Sequence, residues 1–232
     1  PGLGNLTKSL LEKAKKVVAI ELDDRMLNIL NERFYLYSNF EIIHEDVLKV
    51  NLEQLIREEK EKNEIESVKI VANLPYYITT PIIMKLLEDK LDIESITVMV
   101  QKEVAKRLTA MPGEKLAGAI TYSVNYYCEA KEVVEVSKDC FIPAPEVDSE
   151  VIKLILRKET PVKVENEEIL FKLIKNSFMQ RRKTFINGVS NGGLIDKESL
   201  KKILNEMNIN ENIRGENLSL NQFAQIANKI CK

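Results

Sequence analysis

Strand-length apolar segments alternate with helical segments along the first two thirds of this chain, and this alternation most constrains its fold. The apolar segments lie at 17–21, 41–44, 68–72, 93–100, 131–136 and 150–156. Apolar residues recur at helical spacing in the segments 5–15, 24–35, 52–62, 80–87, 102–110 and 116–127. Strands separated by helices form crossover units, so we predict an α/β fold with a mainly parallel sheet. The last two strands have no helix between them, and we expect them to pair antiparallel at one edge.

The pattern changes at Thr160-Pro161, beyond which only helical segments occur. We predict these helices at 167–178, 184–189, 197–207 and 220–229. With 232 residues, and roughly 150 residues in an average domain, the chain has room for one full domain and a smaller one. We therefore predict an α/β domain over residues 1–160 and a small helical domain over residues 161–232.

Composition excludes several classes of protein. No apolar run approaches the roughly 18 residues that a membrane-spanning helix needs, so we expect no membrane association. The three cysteines form no CxxC pair and His44 is the only histidine, which argues against a metal site. This cysteine usage fits a reducing compartment, and we predict a cytoplasmic protein.

Basic residues are concentrated in one stretch of the helical region, although the whole chain carries a net charge of −2. No acidic residue interrupts the series Lys172, Lys175, Arg181, Arg182 and Lys183. A local basic surface on a nearly neutral protein can still bind phosphates. The alternative interpretation is ordinary surface charge.

Three successive strand ends carry residues that suit a nucleoside. Gly2 and Gly4 form a turn that opens a helix, where the missing side chains let the backbone approach a ligand. Glu21 ends the strand at 17–21, and a carboxylate there can accept hydrogen bonds from both ribose hydroxyls. Asp46 follows the next strand and can accept a hydrogen bond from an adenine amine. In order and at this spacing, the three features predict a nucleoside site at the carboxyl ends of the strands.

The identity of the nucleoside follows from what the glycine turn lacks. The third glycine of the dinucleotide fingerprint is replaced by Thr7, and no Walker lysine motif occurs in the chain. Both motifs serve ligands that contain a pyrophosphate. The sequence therefore favours S-adenosylmethionine over NAD or ATP.

Asn73-Leu74-Pro75-Tyr76 follows the strand predicted at 68–72 and indicates the reaction class. The lone pair of an exocyclic base amine is delocalised into the ring, which makes the amine a poor nucleophile. The Asn73 amide oxygen and the carbonyl oxygen of Leu74 or Pro75 can accept hydrogen bonds from the two N–H groups of this amine. These contacts free the lone pair on its nitrogen. The sulfonium methyl is already activated, so positioning dominates the chemistry. The alternative is a strand-end turn with a tyrosine in the core.

A second motif with an aromatic residue, after the one that contains Tyr76, is Phe141-x-Pro143-x-Pro145-x-Val147-Asp148-Ser149. Its prolines stiffen the loop and hold Phe141 as a rigid platform. With Tyr76 it could enclose a flipped-out base. The alternative is a rigid linker with Phe141 in the core.

These motifs together resemble the KsgA (RsmA) family of small-subunit ribosomal RNA adenine N6-dimethyltransferases, which is related to the Erm enzymes of large-subunit RNA. The resemblance runs essentially the whole length of the chain. The segments that carry it are Pro1-Gly-Leu-Gly-Asn-Leu-Thr7, Glu21, Glu45-Asp46, Asn73-Leu-Pro-Tyr76, Gln101-Lys-Glu-Val-Ala-Lys-Arg107, Phe141 to Ser149, Gln180-Arg-Arg-Lys-Thr184 and Arg214-Gly-Glu-Asn-Leu-Ser219. The last two segments are similar to KsgA rather than Erm.

The resemblance implies a Rossmann-like methyltransferase domain and a helical domain that docks on the small ribosomal subunit. The substrate would be two adjacent adenines near the 3′ end of 16S ribosomal RNA, each methylated twice. We expect the protein to be a monomer. The residues implied for S-adenosylmethionine are Gly2, Gly4, Glu21, Leu22, Asp46, Val47 and Asn73. Those implied for the target adenine are Asn73, Leu74, Pro75, Tyr76 and Phe141. Those implied for RNA phosphates are Lys102, Lys106, Arg107, Arg181, Arg182 and Lys183.

The chain departs from the resembled family at its beginning. Members of the family have an N-terminal segment, a first strand and an acidic residue before the glycine turn. We interpret the chain as a truncated form whose cofactor pocket is incomplete, and a micromolar affinity for S-adenosylmethionine would contradict this expectation.

The sequence leaves two other functions open. One is an Erm-like methyltransferase that acts on large-subunit RNA. The other is a ribosome assembly factor that keeps the fold and performs no catalysis. A nicotinamide-dependent oxidoreductase would need a catalytic histidine or a Tyr/Lys arrangement, which we do not find.

Overall fold

The computed structural model describes residues 1–180 and 182–231 and divides the chain into two compact units. The first unit comprises residues 1–100 and the second comprises residues 101–232. The boundary that the sequence suggests, between residues 160 and 161, remains a prediction. Among the described residues, no helix combines the length and the apolar character required to cross a membrane.

The first unit alternates helices and strands as predicted. In chain order its elements are α1 (Asn5–Leu11), β1 (Val17–Glu21), α2 (Asp24–Phe34), β2 (Phe40–His44), α3 (Leu52–Asn63), β3 (Lys69–Asn73), α4 (Thr79–Glu88) and β4 (Ser95–Gln101). A 3₁₀ turn at Tyr76–Ile78 leads from β3 into α4. β1 pairs in parallel with β2, and β3 pairs in parallel with β4. Each parallel pair therefore places the ends of its two strands side by side.

The first helix is shorter than the sequence predicts, and a distant residue explains why. The apolar spacing predicts a helix over 5–15, but α1 ends at Leu11. The side-chain amide of Asn39 donates to the carbonyl oxygens of both Leu11 and Ala14, at 3.0 Å each. These contacts satisfy carbonyl groups that a helix end leaves without partners. A residue 28 positions from Leu11 thus supports the helix end.

Buried side chains of α1 and α2 hold the glycine turn in place. Leu11, Leu30 and Phe34 form a core cluster, against which Val17 and Phe40 from the two strands pack. Asp23 begins α2 as predicted, because its carboxylate accepts the backbone N–H of Arg25 at 2.9 Å.

The second unit contains an antiparallel strand pair and helices. Its elements are α5 (Lys102–Thr109), α6 (Ala119–Tyr127), β5 (Cys128–Val136), β6 (Ser149–Leu156), α7 (Glu167–Met179), α8 (Phe185–Asn191), α9 (Lys197–Glu206) and α10 (Leu220–Ile230). β5 pairs antiparallel with β6, as the absence of an intervening helix predicts. α6 starts at Ala119 rather than at residue 116, because the hydroxyl of Thr121 accepts the N–H of Gly118 and caps the helix there.

The C-terminal helices share one core with α6, which the sequence analysis assigns to the first domain. Tyr122 and Tyr126 of α6 are buried in the same cluster as Leu173, Phe185 and Phe223 from α7, α8 and α10. The Tyr122 hydroxyl donates to the carbonyl oxygen of Leu218 at 2.6 Å. Burial raises the pKa of Tyr122 to about 12, so the hydroxyl remains a donor at neutral pH.

Replacing Tyr122 by phenylalanine is expected to lower the free energy of unfolding by about 1–2 kcal/mol, because the buried Leu218 carbonyl loses its donor. Urea denaturation followed by circular dichroism measures the change. The exposed Tyr35 offers a matched control, and Tyr35→Phe should leave the unfolding free energy unchanged. Equal unfolding curves for the parent and Tyr122→Phe would show that this hydrogen bond contributes nothing.

Candidate active site

The glycine turn has a left-handed backbone at both glycines. φ is +56° at Gly2 and +80° at Gly4, and the Gly4 N–H donates to the Pro1 carbonyl at 3.0 Å. A Cβ at Gly4 would stand 2.6 Å from Cε2 of Phe34 and 2.9 Å from Cδ2 of Leu30. A Cβ at Gly2 would have no heavy atom within 4 Å. Gly4 is thus required by packing, whereas Gly2 borders open space.

Glu21 ends β1 and binds the backbone of this turn. One carboxylate oxygen accepts the Gly2 N–H at 3.2 Å, and the other accepts the N–H groups of Leu22 and Asp23 at 2.9 Å each. Burial by itself would raise the pKa of Glu21. The hydrogen bonds from Asp23, Gly2 and Leu22, with the positive N-terminal amine, outweigh that effect and hold the pKa below its ordinary value of 4.5. Glu21 therefore remains an ionised acceptor at neutral pH.

The end of β2 lies beside the end of β1. Glu21 is opposite His44 in the register, and the Glu45 N–H donates to the Glu21 carbonyl at 3.2 Å. Asp46 follows directly, and one of its carboxylate oxygens accepts the Leu48 N–H at 2.9 Å. The structure thus brings Glu21 and the segment that carries Asp46 to the same edge of the β1–β2 pair, as predicted.

These groups fit the adenosine part of S-adenosylmethionine. Adenosine needs acceptors for its ribose hydroxyls and its amine, and apolar surface for its ring. Glu21 and Asp46 offer carboxylate acceptors, and Leu22, with 63% of its surface exposed, offers apolar surface. Val47 is half-buried next to Asp46, and the open space beside Gly2 leaves room for a ligand.

Asn73 is the last residue of β3, opposite Met99 of β4, and is exposed. The Leu74 N–H donates to the Met99 carbonyl at 3.4 Å, and the Leu74 side chain is buried. The Pro75 carbonyl accepts both the Ile78 N–H at 3.1 Å and the Thr79 hydroxyl at 3.0 Å. These two bonds use the acceptor capacity of the Pro75 carbonyl. Of the two carbonyls that the sequence left open, Leu74 is the one suited to bind a ligand.

Two tyrosines follow this turn, and they differ in exposure. Tyr76 is half-buried, whereas Tyr77 exposes 88% of its surface. Neither Tyr77 nor Thr79 is among the site residues predicted from the sequence. The hydroxyl of Thr79 four residues after Pro75 is a signal that could have revealed the Pro75 contact, because Ser and Thr side chains at that spacing often bind a carbonyl.

The predicted aromatic platform lies in the second unit. Phe141 is half-buried and follows a 3₁₀ turn at Lys138–Cys140. The Ile142–Pro143 peptide bond is cis. The Asp148 carboxylate accepts the Lys138 N–H at 3.0 Å, so the two ends of this loop are held together.

The predicted RNA-binding cations have different surroundings. Lys102 donates to Glu135 at 2.7 Å, a hydrogen bond that raises the pKa of Lys102, and Arg107 pairs with Glu103. Lys106 is exposed, and its charge acts on the Glu150 carboxylate, whose pKa it lowers against the larger, raising effect of burial. Arg182 and Lys183 are exposed in the turn between α7 and α8, and Arg181 lies outside the described residues.

Lys102 and Lys106 line a cleft of about 420 Å³ in the second unit, together with Glu103, Lys138, Glu146, Val147 and Asp148. Lys138 is not among the residues predicted from the sequence, where its one signal is its position three residues before Phe141. Within residues 1–180 and 182–231, no group of three or more His, Cys, Asp or Glu side chains could hold a metal ion.

Known proteins match the chain over nearly its full length. The sequence model of the family described as ribosomal RNA adenine dimethylase matches residues 1–232. Ribosomal RNA small subunit methyltransferase A of Geobacillus sp. (strain WCH70) is 48% identical, over 99% of this chain and 79% of that protein. The protein of the same name from Clostridioides difficile (strain 630) is 46% identical, over 99% of this chain and 78% of that protein.

Solved structures share the fold. A dimethyladenosine transferase from Plasmodium falciparum is 27% identical and superimposes with a TM-score of 0.77, over 97% of this chain and 85% of that one. The 23S rRNA methyltransferase ErmE is 22% identical, with a TM-score of 0.69 over 100% of this chain and 88% of that one, which shows a shared fold. The predicted fold class is confirmed. The chain, as its motifs predict, belongs to the ribosomal RNA adenine dimethylase family.

Proposed function

We propose that the protein transfers methyl groups from S-adenosylmethionine to N6 of two adjacent adenines near the 3′ end of 16S ribosomal RNA, as a monomer in the cytoplasm. The observation that carries the proposal is the Asn73-Leu74-Pro75-Tyr76 turn at the carboxyl end of β3, in a chain of this family. Its partner is the small ribosomal subunit, and the reaction has a role in the biogenesis of that subunit.

The first unit holds the cofactor through its strand ends. The Glu21 carboxylate oxygen that accepts the Gly2 N–H, and neither of the other two backbone N–H groups, also accepts a hydrogen bond from a ribose hydroxyl, and Gly2 and Gly4 let the ligand approach the backbone. Leu22 contacts the adenine ring, and the oxygen of Asp46 that does not bind Leu48 accepts from the adenine amine. In this assignment the backbone of Val47 flanks the same ring and Asn73 contacts the end of the cofactor that reacts. When bound, S-adenosylmethionine supplies an activated methyl group.

The turn after β3 holds the target amine. The Asn73 side-chain oxygen and the Leu74 carbonyl accept its two N–H bonds, because the Pro75 carbonyl is already bound to Ile78 and Thr79. This pair of acceptors pulls the amine nitrogen towards tetrahedral geometry and directs its lone pair at the methyl group. The contribution of the turn is thus mainly orientation, which suits a reaction whose methyl donor needs no further activation.

Aromatic and basic residues hold the rest of the RNA. Tyr76 stacks on the target base, and we assign the same kind of contact to Phe141. RNA phosphates are bound by Lys102, Lys106 and Arg107 of α5 and by the exposed Arg182 and Lys183 of the turn after α7. We assign the same role to Arg181, which lies outside the described residues. Among the three cations of α5, Lys106 contributes most to phosphate binding, because Lys102 and Arg107 are partly neutralised by Glu135 and Glu103.

Large-subunit RNA is the alternative substrate. Relatives at 46–48% identity are named for the small subunit, whereas the similarity to ErmE, named for 23S rRNA, is 22%. This difference favours the small subunit.

The test is methyl transfer from labelled S-adenosylmethionine to purified ribosomal subunits that lack the modification. We expect the label in small subunits, at N6 of two adjacent adenines, with none in large subunits. Label in the large subunit alone would establish the Erm-like function. Binding to small subunits without any transfer would support an assembly factor.

Glu21→Gln tests the cofactor assignment. The amide keeps the size of the side chain, removes its charge and replaces one acceptor oxygen by an NH2 donor that faces the backbone N–H groups of the turn. We therefore expect affinity for S-adenosylmethionine to fall at least about 10-fold, as a charge-assisted hydrogen bond becomes a neutral one. Isothermal titration calorimetry measures the dissociation constants. Because the pKa of Glu21 lies below 4.5, the parent's affinity should be constant from pH 8 to about pH 5 and fall only as the carboxylate is protonated at lower pH. Equal affinities of the parent and Glu21→Gln would contradict the assignment.

A further inference from the structure

Tyr77 has no evident part in holding the fold. It exposes 88% of its surface, in the middle of the 3₁₀ turn at Tyr76–Ile78. An aromatic side chain in a core loses nearly all of its exposure and contributes through the area that it buries. Tyr77 therefore presents an almost complete aromatic ring to the solvent. Because the ring buries little area, we look for its role in binding rather than in the stability of the fold.

The backbone beneath Tyr77 is held firmly. The Pro75 carbonyl accepts the Ile78 N–H and the Thr79 hydroxyl, and these two bonds close the turn around residues 76 and 77. Leu74 and Thr79 are buried on either side of the turn. An exposed ring on an immobilised backbone loses little conformational entropy when it binds a ligand, because few torsions remain to be ordered.

The position of Tyr77 next to Tyr76 indicates which part of the RNA it would contact. Its Cα is one residue from that of Tyr76, a separation of about 3.8 Å across a trans peptide. Tyr76 and Asn73 belong to the turn that we assign to the target adenine. A base drawn out of its stack leaves its neighbour in the strand without a stacking partner on one side, and aromatic side chains commonly replace such a partner in single-stranded RNA.

We propose that Tyr77 stacks on the base next to the target adenine and so positions the RNA for transfer. This inference rests on the proposed function, and it adds a second base contact to the same turn. Because stacking uses the face of the ring, the phenol oxygen has no role in it. The contact is made when RNA binds and is kept through the reaction, so its loss weakens binding of substrate more than it slows the chemical step.

Tyr77→Ala and Tyr77→Phe test the proposal in steady-state methylation of undermethylated small subunits. We expect Tyr77→Ala to raise KM for the subunits about 5- to 30-fold with kcat within about 2-fold of the parent, since stacking of one base is lost. Tyr77→Phe keeps the ring and should restore the parental KM. The matched control is Tyr35→Ala, which removes another exposed tyrosine, at the end of α2, and should leave KM unchanged.

Three results would overturn the inference. They are an unchanged KM in Tyr77→Ala with parental kcat, an unchanged KM in Tyr77→Ala with a lowered kcat, and a Tyr77→Phe variant as impaired as Tyr77→Ala. Thermal denaturation of each variant separates these from a folding defect, which the exposure of Tyr77 argues against. A parent protein that methylates no small subunit would refute the proposed function itself, whereas a parent that is active beside a fully active Tyr77→Ala refutes only the stacking role.

Discussion

Asn73→Ala is expected to lower the rate of methyl transfer to small subunits by about 10²- to 10³-fold, the range seen when one group that stabilises a transition state is removed. Alanine deletes the side-chain oxygen that we assign to the target amine and leaves the Leu74 carbonyl alone to orient it. Asn73 is exposed at the end of β3, so the free energy of unfolding should change little. Single-turnover transfer of labelled methyl groups measures the rate of the chemical step.

Two comparisons make this result specific. Asn73→Asp keeps an acceptor oxygen at the same place, and we expect it to retain more activity than Asn73→Ala. Binding of Asn73→Ala to small subunits, measured by co-sedimentation, should remain within about 2-fold of the parent, because a group that acts mainly in the transition state contributes little to binding of substrate. Parental transfer rates in Asn73→Ala would exclude the proposed chemistry and leave the assembly-factor function.

Gly4→Ala is expected to lower the free energy of unfolding by about 2–4 kcal/mol, because it combines a left-handed backbone with an overpacked core. φ at Gly4 is +80°, and the new methyl group would stand 2.6 Å from the ring of Phe34. Leu30 and Phe34 are fully buried and cannot move aside without disturbing the cluster around them. Urea denaturation measures the loss.

Gly2→Ala is the matched control, since Gly2 is also left-handed but has no atom within 4 Å of the position of a Cβ. The free energy of unfolding of this variant should fall by only about 1–2 kcal/mol, which is the cost of the left-handed backbone conformation itself. The difference between the two variants isolates the contact with α2. Equal losses in both would mean that the packing of the turn against Phe34 is unimportant.

Local patterns in the chain were sufficient to predict most of its elements. β1 has the predicted bounds, and the other strands differ from the prediction by at most three residues at either end. The reason is that strand length, helical spacing and capping residues such as Asp23 act within a few positions of the residues that they control. The antiparallel pairing of β5 and β6 followed in the same way from the short connection between them.

Interactions between distant residues account for what the patterns missed. The end of α1 depends on Asn39, which binds the carbonyls of Leu11 and Ala14. The place of α6 in the core of the C-terminal helices depends on Tyr122, whose hydroxyl binds Leu218, 96 positions further along the chain. Such contacts leave no periodic signal, because either partner can be exchanged for another polar or apolar residue in another fold.

The sequence by itself determined the α/β class, the family and the residue types at the candidate site, from Gly2 and Glu21 to the turn after β3. The tertiary structure alone decided which atoms of those residues can serve a ligand. The Pro75 carbonyl is used within the protein, Lys102 and Arg107 are paired, and Tyr77 is exposed. The physical reason is that hydrogen-bonding capacity and exposure are shared among neighbours in space, and these neighbours exist only once the chain has folded.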